Sequence, residues 1–419
     1  SFNLQEGVYG NDLLTVVFQS PNCSPDTLIG KDVSFSFEYG GRKEFFNGIV
    51  TSCSKEQPKG GASIATLKAK TLRHLLDKEK KSAVYCKTNV EEIAKSILGK
   101  TGISASKCSL SKYYETDFKV QYNESDLNFL QRLFEEHGII EFVQHSSSSS
   151  ELAVSDSNDF TASDSSFVKC RLESTETGNI LYGYSHAPVR TGMSIDSFGE
   201  TFIVYSAAHA GSQEAAFGIK GKTDGYSCQI MAFSKHALSS VPRIKEKPNV
   251  PGVIVAQIEG FKDSPAHIDS QGRYIIRMPF DEENKDMSSS TPVHLAQGFA
   301  GAGYGVHFPL RRGTPVLIAF EDGDIDKPIA LGALPKDLCK GPADNNKSFR
   351  NILRTISGIE IVFDDEAKSL SVETPECISA KAGKELALKA GKVMKMEADD
   401  ITIKANSKLV LQGKKVEIN

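Results

Sequence analysis

The sequence predicts a mainly β chain with one helical insert, ending in a short β-solenoid or β-prism repeat. Three observations carry this. Short alternating apolar and polar runs, broken by glycine-rich turns, fill most of residues 1–335. Helical spacing is confined to two stretches between 89 and 137. From Leu386 onward, pairs of aliphatic residues return at a nearly fixed step.

In chain order, Leu14–Phe18, Val33–Phe37 and Phe45–Val50 read as strands. Gly40-Gly41 and Gly60-Gly61 read as turns between them, so residues 1–80 have the signature of a β-barrel or sandwich. The spacing then predicts a helix over Asn89–Leu98, with Asn89 as cap, Glu92 three residues on, and Gly99 as stop. A second helix is predicted over Glu124–His137, capped by Asn123 and stopped by Gly138. On it Leu127, Leu130 and Phe134 form an apolar stripe, with Phe129 and Leu133 beside them. His137 at the helix end is expected to satisfy the last carbonyls. The five serines Ser146–Ser150 read as a hairpin tip. Strand patterning resumes from about 151 to 240, clearest at Phe202–Tyr205, and Val241–Val250 reads as a linker rich in Pro and Lys. A compact β unit with strands at Gly252–Ile258, Arg273–Met278 and Thr314–Phe320 follows, and a second linker covers 336–348.

In the tail, 349–419, Ile359, Ile361 and Phe363 alternate with polar residues. The pairs Leu386/Leu388, Met394/Met396, Ile401/Ile403, Leu409/Leu411 and Val416/Ile418 come next, their leading members stepping by 8, 7, 8 and 7 residues. Members of a pair stand two apart, so both point to one face of a strand. Gly391, Asp399-Asp400, Asn406 and Gly413 supply turns between them. One such chain leaves long unpaired edges, and three chains about one axis satisfy both the edges and the apolar face. Lys381, Lys384, Lys389, Lys392, Lys395, Lys404 and Lys408 read as its solvated outside.

The formal net charge is -4, which gives no basic face for nucleic acid. The apolar runs, such as Val316–Phe320, are too short to span a bilayer. The opening SFNLQEGVYG lacks the charged and apolar regions of a secretory signal. Eight cysteines fall at 23, 53, 86, 108, 170, 228, 339 and 377, with no CxxC pair, and predict reduced, mostly buried thiols rather than a zinc site. Asp322, Asp324 and Asp326 have calcium-loop spacing, but Lys327 and Ala333 stand where such a loop needs Gly and Glu, so an Asp-Gly hairpin turn is expected. Gly301, Gly303 and Gly305 are not followed by a helix, as a nucleotide loop requires. No HExxH or GxSxG pattern is present, and Glu135, Glu136 and His137 read as a helix end, so no catalytic residues, metal ligands or cofactor are expected.

Three stretches resemble the VgrG family of type VI secretion systems and its contractile-phage relatives. Gln121-Tyr122-Asn123-Glu124-Ser125-Asp126-Leu127, continued by Phe129–Ile139, resembles the family's hub motif. His294–Gly305 resembles its central barrel motif, with Phe299 where Trp is common. Phe320–Gly332 resembles the turn closing that barrel, with Leu334-Pro335-Lys336 where an asparagine is usual. The resemblance implies two hub β-barrels with a helical insert, an OB-fold barrel and a trimeric β-helical needle. The divisions are then 1–80 first barrel, 81–145 insert, 146–245 second barrel, 246–335 OB-fold, 336–348 linker and 349–419 needle.

It further implies a homotrimer docked on a hexameric, Hcp-like tube and on baseplate proteins, assembled in a bacterial cytoplasm and ejected into a target cell. A PAAR-like tip protein would sit on Lys414, Lys415, Val416, Glu417, Ile418 and Asn419. With no further domain after Asn419, any toxin is expected to be a separate chain. Two rival readings share the tail pattern: a tailspike that degrades polysaccharide, and a receptor-binding tail component. The first needs a carboxylate-lined groove, for which the tail offers little beyond Asp399-Asp400. The second has no use for tube-docking barrels.

Overall fold

A computed structural model describes the chain except for Asn11, Pro21, Gly40, Pro58, Gly60, Thr177 and residues 157–161, 164–166, 213–224, 236–245, 261–267, 282–291, 337–340, 343–347 and 418–419. The predicted linkers, Gly40, Gly60, Cys339, Ile418 and Asn419 therefore fall wholly or partly outside the described residues. The chain divides into two compact units, 1–339 and 340–419.

The first unit opens with β1 Phe2–Gly7, β2 Leu13–Gln19, α1 Pro25–Leu28, β3 Asp32–Tyr39, β4 Arg42–Glu56, β5 Ile64–Lys70 and α2 Arg73–Leu76. The insert follows as β6 Lys80–Asn89, α3 Val90–Lys100, β7 Glu115–Ser125 and α4 Asp126–His137. Next come β8 Ile140–His145, β9 Ser150–Ser155, β10 Lys169–Thr175, β11 Gly178–Ser185, β12 Ser194–Ser197, β13 Glu200–Gly211 and β14 Ser227–Ser234.

Strands from 1–70 and 169–234 share one antiparallel sheet in the order β10-β11-β14-β13-β1-β2-β5-β4-β3, with β12 on β13. Its register places Ser185, Cys228, His209, Leu4, Leu14, Ala69 and Val50 in one row across seven strands, and every member is buried. That is the alternation of the sequence converted into a core face.

α3 is capped as predicted, by Asn89 accepting the Glu92 amide at 2.9 Å. It passes through Gly99, however, because Thr101 caps the carbonyls of Ile97 and Leu98 and Gly102 takes the left-handed turn at φ 72°. α4 is capped by Ser125, whose Oγ accepts the Asn128 amide at 3.2 Å, and not by Asn123. Asn123 instead sits in a bulge where β7 has one residue more than β6, at φ 46°, its amide donating to Ser82 Oγ at 3.0 Å. At the far end the amides of Gly138, at φ 66°, and Ile139 satisfy the last carbonyls. His137 packs on Tyr114 rather than capping.

The predicted α4 stripe is buried with Ile93 and Ile97 of α3. The β6–β7 ribbon uses both faces. Tyr85 stacks on Phe129 of α4, while Val84, Phe118 and Val120 enter the core of the next barrel. The serine run is the tip of the β8–β9 hairpin, with Ser146 Oγ bonded to Ser149.

That barrel comprises β15 Ile254–Ile258, β16 Tyr274–Arg277, β17 Pro292–Val293, β18 Ala300–Gly301, β19 Tyr304–Gly305, β20 Pro315–Phe320 and β21 Pro328–Ala333. Its five-stranded sheet runs β17-β16-β15-β20-β21. Leu295, just past β17, bridges Ala330 of β21, and this closes the barrel in the manner of an OB-fold. The glycine-rich segment is the small β18–β19 hairpin, with Phe299 against Tyr304.

Candidate functional site

The tail begins with β22 Arg350–Arg354, β23 Glu360–Asp364 and β24 Ser369–Glu373, an antiparallel meander. Cross-strand register groups Leu353, Ile361 and Val372, and beside them Phe363 and Leu370. Of these only Ile361 is partly covered, and Ile359 is exposed too.

Beyond Glu373 the described tail residues pair into no strand within the chain. Leu386, Leu388, Met394, Met396, Ile401, Ile403, Leu409, Leu411 and Val416 are all exposed, from 51% at Ile401 to 72% at Leu388. Val393 and Val410, out of phase with the repeat, are exposed as well. Soluble single chains rarely display so much contiguous apolar side chain next to unpaired backbone. Lys414, Lys415 and Glu417 are exposed, with Lys415 paired to Glu417.

The residues that hold the hub together are charged and carried no local signal. Arg73, 1% exposed, donates from Nε to Glu141 Oε1 at 2.5 Å and from Nη2 to Glu141 O at 2.9 Å. From Nη1 it reaches Gly7 O, Gly10 O and Asp12. Arg190 grips the Glu6 carboxylate with Nε and Nη2, and reaches Glu44 and Phe45 O with Nη1. His209 lies between Glu6, 3.2 Å from Nε2, and the Tyr226 hydroxyl, 2.7 Å from Nδ1.

Burial alone would raise the Glu6 pKa, but Arg190 and His209 override it and hold the carboxyl well below its usual range. Burial dominates at Asp12, which is pushed up to about 6 despite Arg73. Burial opposes the charged form of His209, yet the neighbouring Cys228 and Glu6 raise its pKa to about 9.

That last shift fixes a sign. A histidine whose folded pKa lies above its unfolded value near 6.5 contributes stability below pH 6.5, and the contribution is lost as pH rises through about 9. Hub stability should therefore decline between pH 6.5 and 9 by a few kcal/mol. His209→Gln should flatten that decline, which urea melts across the range would show.

The aspartate turn is a hairpin turn with Asp322 at φ 52° and Gly323 at φ 76°, as the Asp-Gly pair predicts. Its other carboxylates are already engaged. Lys247 Nζ lies 2.5 Å from Asp324 Oδ1 and 2.6 Å from Asp326 Oδ2, and Asp326 Oδ1 accepts the Val120 amide at 2.8 Å. The turn thus pins the barrel to the β6–β7 ribbon. Burial disfavours the Asp324 carboxylate, but Lys247 keeps its pKa low.

Beside this junction lies a cleft of about 360 Å³, lined by Tyr122, Asn123, Glu124, Asn128, Glu246, Pro248 and Asn249. Glu124 is occupied by Arg132 at 2.7 Å. Among the described residues no group of His, Cys, Asp and Glu has the arrangement of a metal site. No helix among them is long and apolar enough to cross a membrane. Of the seven described cysteines only Cys108 and Cys228 are buried. Cys170 and Cys377 are exposed and the other three half-buried, which corrects the expectation of mostly buried thiols.

A ten-stranded hub sheet, a helical insert and a closed five-stranded barrel define a baseplate hub joined to an injector OB domain. The comparisons agree. The phage tail baseplate hub (GPD) family matches residues 13–181, and the type VI secretion system/phage-baseplate injector OB domain matches 266–334. The type VI secretion system spike protein VgrG1a of Pseudomonas aeruginosa is 34% identical over 148 residues, covering 34% of this chain and 23% of that protein. The actin cross-linking toxin VgrG1 of Vibrio cholerae is 24% identical over 361 residues, covering 64% and 32%. The chain thus matches about a quarter to a third of the length of these relatives.

Among solved structures, the E. coli c3393 protein, a type VI secretion component with similarity to the T4 tail proteins gp27 and gp5, aligns with TM-score 0.63 at 19% identity. The alignment covers 80% of this chain and 96% of that one. A Francisella PdpA–VgrG complex, half-lidded, aligns with TM-score 0.54 at 11% identity, over 90% and 78%. The chain is thus similar to the VgrG spike proteins of type VI secretion systems, and its hub region to the phage tail baseplate hub family.

Proposed function

We propose that the chain is the non-enzymatic spike of a contractile injection machine, working as a homotrimer that caps a tube and pierces a target envelope. The observation that carries this is the exposed aliphatic repeat, whose described members have neither a strand partner nor a cover in one chain. Three copies about one axis supply both. Ile359, Ile361, Phe363 and the nine described repeat members, with Ile418, would form the needle core.

Three copies of the hub, each contributing strands from 1–80 and 146–245, would offer six similar surfaces to a hexameric, Hcp-like tube, with baseplate proteins around them. The OB-fold of 246–335 would lead into the needle of 349–419. Residues 414–419 would take a PAAR-like tip protein. The spike would assemble in the bacterial cytoplasm and leave by ejection. The engaged carboxylates of the aspartate turn and of Glu124 favour this over a polysaccharide-degrading tailspike.

Multi-angle light scattering should give about three times the 45.5 kDa chain mass. A stable monomer at micromolar concentration would sink the reading. Removing residues 414–419 should leave the trimer intact and abolish capture of a PAAR-like protein; persistent capture would move the docking site elsewhere.

A further inference from the structure

Cys23 and Cys53 stand apart from the other cysteines. Cys23 lies between β2 and α1, Cys53 on β4 opposite Leu67, and their sulfurs approach to 3.8 Å across 30 residues of sequence. Both are half-buried. The buried Cys228 instead donates to Val189 O, and Cys170 and Cys377 are exposed.

A disulfide needs an S–S distance of about 2.05 Å, so the two sulfurs must close by roughly 1.8 Å. Rotation about the two Cα–Cβ bonds supplies movements of this size, and α1 packs on β4, which keeps the two backbone segments together. We infer that Cys23 and Cys53 form a redox-responsive pair that closes to a disulfide on meeting a small disulfide oxidant such as oxidised glutathione.

One cysteine thiolate attacks the oxidant's S–S bond and releases one glutathione thiol. The second thiolate then attacks the mixed disulfide and displaces the other. One protein S–S bond forms and one oxidant S–S bond breaks. The two electrons and two protons lost by the cysteines end on two glutathione thiols.

Burial and the adjacent Cys23 thiol raise the Cys53 pKa, which slows attack by Cys53 on the oxidant. The pair lies in the hub, Cys53 on β4 and Cys23 in the segment leading into α1.

The test uses the full chain, incubated with oxidised glutathione or with dithiothreitol, alkylated, digested without reduction and mapped by mass spectrometry. The expected result is a linked pair of peptides carrying Cys23 and Cys53 in most of the oxidised chain. The link should disappear on returning the sample to dithiothreitol. In Cys53→Ser, Cys23 should carry a glutathione adduct in its place. The inference is overturned if both cysteines remain alkylated after oxidation, if each carries its own glutathione, or if either links to another cysteine.

Discussion

Arg73→Met should lower hub stability by about 3–5 kcal/mol at pH 7.5, the usual loss when one member of a buried charge cluster is removed. Methionine keeps much of the side-chain volume, so the effect is electrostatic. It strands Glu141, 1% exposed, and Asp12, 3% exposed, and it takes a donor from the Gly10 carbonyl and one of two donors from the Gly7 carbonyl, which keeps the Gly10 amide. Asp12 is already raised to about 6 by burial with Arg73 beside it. Without Arg73 its folded pKa rises further above its unfolded value. Such a group costs stability at high pH, and the cost shrinks as pH falls and it takes up a proton. The deficit of Arg73→Met should therefore narrow by pH 5.5. With no Trp in the chain, unfolding is best followed by tyrosine fluorescence or circular dichroism in urea. A deficit below 1 kcal/mol, or one that widens as the pH is lowered, would show that the cluster does not hold the hub.

What could be read from the sequence was what repeats locally. The alternation in Leu14–Phe18 and Val33–Phe37 gives β2 and β3, and the i, i+3, i+7 stripe from Leu127 gives α4, because a period of two or 3.6 is imposed by neighbours along the chain. The step of the tail pairs was legible for the same reason. The charge clusters were not. Glu6 and His209 are 203 residues apart, and Arg73 and Glu141 are 68 apart. Nothing in the residues around any of them marks a partner. The cap of α4 was misread by two residues because Asn123 and Ser125 are both good caps. The choice between them was made by the β6 register, where Ser82 faces the bulge. The aspartate turn was read correctly as a hairpin, but its link to Val120 spans 206 residues and only the fold reveals it.

The inward face of the tail is open to a sharper experiment. In one chain Ile401, Thr402 and Ile403 are all exposed, so the assignment of Ile401 and Ile403 to the three-fold axis rests on the repeat. Ile403→Asp would then bring three carboxylates together in an apolar core. Desolvation and like-charge repulsion oppose this, at several kcal/mol for each buried charge. The trimer should loosen at neutral pH, with a sharp fall in its thermal midpoint or outright dissociation in light scattering. Acid should partly restore it, because the carboxyls can neutralise by taking up protons. Thr402→Asp places its charge on the opposite face of the same strand and should stay within about 0.5 kcal/mol of the parent. The contrast is diagnostic because a one-residue slip in register exchanges the two faces. Injection measured in a cell-based assay should follow the same order. If Thr402→Asp proves the more damaging, the register is inverted; if the two are equal, the tail does not bury one face of a strand at all.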